Sequence, residues 1–343
     1  MPQLIVIIGI TGNQASHIRS AQILQSNVQQ GGSVANVYLK EPGWRIRGLT
    51  RELESKAAKA LTAKGVEMVQ ADLHDLATLV PAFKGANLIF SVTDFWKPFF
   101  KPANLERAEK EGISIGKLCY CLEYEQGKNI VEAAAHPDVL VGLNEIGLIA
   151  STLSSARECS EGKYTELYHF DSKADVFPKY LTERHPKLAK KTSYLQTGYF
   201  MTSWHYMPHK WPGKQPDGSF VTRMSTSADK VVPHLDVNSD TGCYVRALAS
   251  MPPGQTVMAA GEWCTWSEWV QKWATAMGID PAKAKYEQVS VDEMSAGMGD
   301  FGWEVAEMYE YSTWPGYDGG IEMLKSEDLR NVSWMLHIVY WCD

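Results

Sequence analysis

No apolar run in this chain of 343 residues approaches the roughly 20 residues that a helix needs to cross a bilayer. The last such run, Trp334 to Trp341, is interrupted by His337 and is far too short. The N-terminus lacks a basic segment and a small-residue cleavage site, so no secretory leader is expected. Its six cysteines (119, 121, 159, 243, 264 and 342) are scattered without a CxxC pair, which indicates neither a zinc site nor a redox dithiol. Positive charge is the minority: 33 Lys and Arg against 40 Asp and Glu leave −7, the wrong sign for a nucleic-acid surface. Internal repeats and low-complexity tracts are missing too. These absences together lead us to expect a reduced, cytoplasmic, soluble protein, a monomer or homodimer that binds neither membrane nor nucleic acid. The sequon Asn331-Val332-Ser333 is then expected to stay unmodified.

What is present is ordinary globular composition, 45% hydrophobic and 21% charged, with an unusual wealth of 12 Trp and 15 Tyr. Residues 1–200 alternate strand and helix patterns, which predicts a doubly wound parallel sheet of Rossmann type. Strands are expected at Leu4–Ile8, Trp44–Leu49, Val66–Gln70, Ala86–Val92, Gly147–Ser151 and Thr192–Gln196. Helices are expected at residues 15–30, Leu53–Ala63, Leu76–Phe83, Tyr124–Ala135 and Phe170–Arg184, the last interrupted near Pro178. Gly31 to Gly43 reads as a surface excursion. Beyond residue 200 the alternation breaks down, and residues 201–343 are expected to form a smaller C-terminal α/β portion that closes over a substrate. Within it Phe220–Met224 reads as a strand, Thr241–Ser250 and Thr265–Met277 as helices, and residues 291–343 as mainly helical.

Between the first strand and the first helix stands Gly9-Ile10-Thr11-Gly12-Asn13-Gln14-Ala15. In a strand–turn–helix setting, Gly9 allows the tight turn, Gly12 lets a pyrophosphate approach the backbone, and Ala15 keeps helix and strand close. Together with Leu49-Thr50-Arg51, Val69-Gln70-Ala71-Asp72-Leu73, Val92-Thr93-Asp94-Phe95-Trp96, His169-Phe170-Asp171-Ser172-Lys173, Gly198-Tyr199-Phe200 and Glu307-Met308-Tyr309, this turn resembles the NmrA-like family. That family is an atypical branch of the short-chain dehydrogenases/reductases. Its members include nicotinamide-dependent reductases, enzymes of fungal secondary metabolism, and catalytically silent sensors of NADP redox state.

An acidic residue ending the second strand would hold the 2′-hydroxyl of NAD; this chain has Arg51 there, with Lys56 a helical turn on. Two cations suit a 2′-phosphate, although Glu52 adds a carboxylate beside them, so NADP(H) is the expected cofactor. Asp72 and Leu73 are placed at the adenine edge. Thr93 and Phe95 line the cofactor at the fourth strand, and Tyr199 and Phe200 approach it after the sixth. The resemblance assigns ribose binding and electrostatic tuning to Lys173. The tyrosine four residues before it is replaced by His169, which shares its helix face and titrates near neutrality as a candidate acid. Tyr199 and the hydroxyls of Ser151, Thr152 and Ser154 are alternative donors. For a hydrophobic, polycyclic substrate the candidate walls are Trp96, Phe100, Trp204, Trp303, Tyr309 and Trp314. Three outcomes stay open: hydride transfer with a substituted acid, hydride borrowing during isomerisation or cyclisation, or NADP(H) binding by a redox-sensing regulator. His205 and His209 carry metal-helix spacing, but Pro208 between them breaks the helix, so no metal is expected.

Overall fold

Successive side chains of a strand face opposite sides of a sheet, and in the first strand both sides are apolar. Ile5 and Ile7 enter one core with Val34, Ala35 and Tyr38, while Leu4, Val6 and Ile8 enter another with Leu79, Ile130 and Val131. The computed structural model describes residues 2–11, 26–201, 203 and 212–329. Its strands are β1 (Gln3–Ile7), β2 (Trp44–Thr50), β3 (Glu67–Gln70), β4 (Leu88–Ser91), β5 (Leu148–Thr152) and β6 (Thr192–Thr197). There follow β7 (Tyr199–Phe200), β8 (Gly213–Lys214), β9 (Phe220–Met224), β10 (Val231–Leu235), β11 (Thr256–Ala259), β12 (Glu262–Thr265) and β13 (Ala284–Gln288). Seven of them form one sheet in the order β11-β6-β5-β4-β1-β2-β3, every neighbour parallel. The chain winds outward from β1 through β2 and β3, then returns to β4 on the other side of β1. A crevice therefore opens at the carboxyl ends of β1 and β4, where doubly wound sheets bind their ligands. Two three-stranded sheets, β12-β10-β7 and β13-β9-β8, belong to the later part of the chain.

The helices include α1 (Ser26–Tyr38), α2 (Lys56–Ala63), α3 (Leu76–Phe83), α4 (Ile115–Ala135), α5 (Tyr168–Ala174), α6 (Val237–Leu248), α7 (Trp266–Ala276) and α8 (Gly299–Tyr311). Of the expected excursion at Gly31–Gly43, Gly31–Tyr38 belongs to α1 and only Leu39–Gly43 turns. Paired glycines read as a loop signal, but here both lie within a helix and close packing requires the first of them. α4 starts nine residues before the expected Tyr124 because Ser114 caps it, its hydroxyl accepting from the Lys117 amide at 3.1 Å. The expected Phe170–Arg184 helix is divided: α5 ends at Ala174, Phe177 is extended (φ −122°, ψ 100°) ahead of Pro178, and Leu181–Arg184 resumes the coil. Thr265 and Glu268 form a reciprocal capping box that starts α7. After α8 the described residues carry turns and one bridge, Val257 with Leu324, rather than further long helices.

The boundary expected at residue 200 does not separate the sheets. β11 completes the central sheet, and α6 packs on α1 so tightly that the Gly242 amide donates to the Ser33 hydroxyl at 2.9 Å. Among the described residues, no helix is long and apolar enough to cross a membrane.

Candidate cofactor and substrate site

The crevice begins at the glycine turn. Gly9 has φ +75°, a conformation that glycine adopts without strain. The Thr11 hydroxyl reaches the Thr50 hydroxyl at 3.2 Å, tying this turn to the end of β2. Gly12, Asn13, Gln14 and Ala15, and residues 15–25 of the expected 15–30 helix, lie outside the described residues, while Ser26–Gln30 are helical. A close approach of helix to turn is made by Gly31 of α1. A Cβ there would stand 2.7 Å from both the carbonyl carbon and oxygen of Gly9 and 2.9 Å from the Ile10 nitrogen, whereas one on Gly32 meets nothing within 4 Å. Alanine elsewhere in a helix gains about 1 kcal/mol over glycine, so the two positions should respond with opposite sign. We expect Gly32→Ala to raise the denaturant midpoint slightly and Gly31→Val to lower it sharply. Equal responses of the two would refute the contact.

Arg51 follows β2 and is exposed, its carbonyl accepting from Gln70 Nε2 at 3.2 Å. Lys56 opens α2 and is exposed as well. Glu52 beside Arg51 is exposed, Glu54 is taken by Lys59 at 2.9 Å, and neither Arg51 nor Lys56 has an ion pair with a described residue. Asp72 turns the chain after β3, its Oδ1 accepting the His74 amide at 3.0 Å, and the Leu73 carbonyl accepts from Asn129 Nδ2 at 2.9 Å. The ends of β1, β2 and β3 thus present a glycine turn, two uncommitted cations and a short polar turn. This set fits an adenine dinucleotide carrying a 2′-phosphate.

At the end of β4 the chemistry becomes denser. Thr93 donates to Glu123 Oε1 at 2.7 Å, and Lys173 Nζ stands 2.5 Å from the same oxygen and 3.5 Å from the His169 carbonyl. Ser172 donates to Glu123 Oε2. Asp94 accepts the Lys97 amide at 3.0 Å, and removal from water, reinforced by Glu123, lifts its carboxyl to about 6. One helical turn from Lys173, His169 is buried. Its amide and its Nδ1 both meet Glu304 Oε1, at 2.8 and 2.6 Å, and its Nε2 faces Met308 Sδ at 3.4 Å. Nδ1 and Oε1 share one proton, donated by the ring or by the carboxyl according to the tautomer; a thioether only accepts, so the Nε2 contact with Met308 calls for the proton on Nε2. Burial, and then the Lys173 charge, hold the imidazole well below its ordinary value, while burial holds Glu304 well above. We take the pair as neutral, a histidine against a protonated carboxyl.

Aromatic rings close around this imidazole. Trp96 lies 5.0 Å and Phe95 5.7 Å from it, centroid to centroid; Phe301 packs 5.4 Å from Trp96, and Phe100 5.3 Å from Phe301. Phe95 is buried, whereas Trp96, Phe100 and Phe301 keep exposed surface. The structure therefore brings Thr93, Phe95, Trp96, Phe100, His169 and Lys173 together. Glu123, Glu304 and Phe301 complete the group and were not among the residues singled out from sequence. A signal for the first existed: Glu123 lies on the α4 stripe of Cys119, Gln126 and Ile130, where a carboxylate is out of place.

Other sequence candidates are elsewhere. Tyr199 and Tyr309 stack at 5.0 Å in the C-terminal core with Trp266 and Tyr317. The Tyr199 hydroxyl is engaged by Ser312 at 2.7 Å and the Met308 carbonyl at 3.2 Å. Phe200 is half-buried against the core of the central sheet. Ser151 is buried inside β5, Thr152 donates to the Phe177 carbonyl at 2.8 Å, and Ser154 meets the Tyr311 hydroxyl at 2.9 Å. Trp303 and Trp314 are exposed, and Trp314 walls an open cavity of about 430 Å³ with Lys163, Tyr164, Glu293 and Glu310. Trp204, His205 and His209 lie outside the described residues.

The chain is similar to an NmrA-like family domain-containing oxidoreductase of an Aspergillus species, 38% identical over 82 residues, which is 24% of each chain. A protein of the same description from a Cladobotryum species is 30% identical over 135 residues, 39% of this chain and 31% of that one. The aligned stretches thus span about a quarter to a third of these relatives' lengths. The fold is shared with NmrA, a negative transcriptional regulator solved with NADP: TM-score 0.66, 17% identity, covering 96% of this chain and 90% of that one. It is shared also with triphenylmethane reductase of a Citrobacter species solved with NADP(H): TM-score 0.59, 15% identity, covering 96% and 94%. A family model, that of the NmrA-like family, matches residues 22–334, and the chain belongs to the NmrA-like family.

Proposed function

We propose that this chain binds NADP(H) and acts as an oxidoreductase on a flat, hydrophobic small molecule. The observation that carries this reading is the cluster at the end of β4: a lysine and a threonine on one carboxylate, one helical turn from a histidine that packs on Trp96, with Phe301 against Trp96 and Phe100 against Phe301. NADP(H), when bound, supplies or accepts the hydride. Gly9 and Thr11 offer backbone and hydroxyl at the pyrophosphate end, Arg51 and Lys56 offer charge for the 2′-phosphate, and Thr93 and Lys173 face the ribose nearer the reacting ring. The rings around His169 stack on a planar substrate and exclude water. A proton held between Glu304 and His169 can be relayed in either direction, so the pair serves carbonyl reduction as well as isomerisation or cyclisation with a borrowed hydride. The relatives named as oxidoreductases support the enzymatic reading.

A second reading has its own observation. Both candidate acids are engaged internally, His169 by Glu304 and Tyr199 by Ser312, as in a protein that binds the dinucleotide without turnover. Deuterium decides between them. With NADPH deuterated at the transferable position and a panel of planar alkaloid and polyketide ketones and alcohols, an oxidoreductase delivers label to product. A borrowed hydride instead gives an isomer that keeps its own hydrogen with NADP⁺ present in catalytic amount. Tight NADPH binding with neither result across the panel favours the regulator.

A further inference from the structure

Glu123 sits in the middle of α4, almost completely buried, and its two carboxylate oxygens are claimed by three donors from two other elements. Thr93 from the end of β4 and Lys173 from α5 share Oε1, at 2.7 and 2.5 Å, while Ser172 takes Oε2. A buried carboxylate is costly unless it is paired and hydrogen-bonded, and here every donor comes from the segments that would face the cofactor. Thr93 is the hydroxyl at the switch point of the sheet, and Lys173 is the cation on the facing helix. Neither β4 nor α5 fixes the separation between these two side chains by itself, since they belong to different elements. One carboxylate oxygen does fix it.

We propose that Glu123 is a positioning residue that holds Thr93 and Lys173 as one unit toward the ribose of a bound NADP(H) and supplies the counter-charge that lets the lysine stay in a dry site. The inference rests on the functional reading above and goes beyond it. It gives α4, which that reading leaves as packing, a share in cofactor affinity. Glu123 touches neither cofactor nor substrate, so its effect on binding must pass through Lys173 and Thr93.

That dependence is measurable by a double-mutant cycle on NADPH affinity, followed by fluorescence titration of the full chain at fixed salt. Wild type, Glu123→Gln, Lys173→Met and the double variant are compared. Losing the ordered lysine should weaken NADPH by roughly tenfold, the order of one charge-assisted hydrogen bond. Glu123→Gln should do nearly the same, and the double variant should bind no more weakly than Lys173→Met alone, because coupled residues are non-additive. Losses that multiply would overturn the proposal and leave Glu123 as a core residue. Glu123→Gln strands a buried ammonium and is the variant at risk of not folding. The comparison of the double variant with Lys173→Met does not need it, and Thr93→Val, which keeps every charge, should weaken NADPH several-fold. Thr93→Val binding like wild type would count against the unit. Failure of wild type to bind NADPH removes the functional reading and this inference with it; binding by wild type with multiplying losses removes this inference alone.

Discussion

Arg51→Ala is expected to abolish most of the preference for NADPH over NADH while leaving NADH affinity nearly unchanged. A charge-assisted contact to a phosphate contributes about 1.5–3 kcal/mol, so the affinity ratio should fall by roughly ten- to a hundredfold. The geometry makes Arg51 the stronger of the two candidate cations. Its backbone is anchored at the carboxyl end of the sheet by Gln70, and its guanidinium has no ion pair with a described residue to give up. The acid nearest in sequence to Lys56, Glu54, is already committed to Lys59. Lys97 adds to this field from the β4 side: its amine is pushed below its ordinary value by burial and, next, by the charge of Arg51. Two cations that repel in the free protein gain most when an anion is placed within reach of both. Lys97→Met should therefore reduce NADPH affinity in the same direction by a smaller factor, and raising salt should weaken NADPH more than NADH. Retention of the full ratio in Arg51→Ala would remove the 2′-phosphate assignment.

The sheet was legible because its signals are local. Leu4–Ile8 is apolar without a break, as a central parallel strand must be, and Leu76–Phe83 and Phe220–Met224 are bounded where the pattern places them. What misled was chemistry with two meanings. Gly31-Gly32 means a loop in most contexts, yet in α1 the first glycine is required by the backbone of Gly9 and only the second is free. The aromatic residues divide in a way that composition cannot show. Trp96 packs on the histidine and Phe100 on Phe301 behind it, Tyr309 fills the C-terminal core, and Trp303 and Trp314 face solvent, because burial depends on which helix face meets which neighbour. Lys173 was assigned by the family resemblance, and His169 by its place four residues before it on one helix face. Their partners Glu123 and Glu304 come from residues far away in the chain and have no local motif. Sequence suggests a neutral-pH acid at His169; in place, burial holds its imidazole well below the ordinary value and Glu304 stands against Nδ1.

Acid should unfold this protein through its buried histidines. His234 lies in β10 with the Trp266 ring 4.8 Å away and the Trp269 and Tyr199 rings at 6.4 and 6.3 Å, and burial drives its imidazole down to about 3. The folded protein refuses this proton, while the unfolded chain accepts it at the ordinary value near 6.5. Stability is therefore intact above pH 6.5 and falls as pH drops through the window from 6.5 toward 3, about 1.4 kcal/mol per unit. From pH 6.5 to 4.5 His234 alone should cost about 2–3 kcal/mol, a large share of a typical domain's stability. His169, depressed by the same cause, adds to the loss. Asp94 and Asp240, each lifted to about 6 by burial, and Glu307, lifted to about 7, act oppositely, because they favour the folded state when protonated and lose that advantage as pH rises. Total stability against pH is thus a sum of opposing slopes, and a single curve does not isolate His234. His234→Phe does, since it removes the titration and keeps a flat ring among the tryptophans. Denaturant midpoints of the variant should fall less than those of wild type between pH 6.5 and 4.5, the gap closing by about 2–3 kcal/mol at the acid end. Parallel curves for the two proteins would show that His234 takes its proton without unfolding the core, and would place the acid sensitivity at His169.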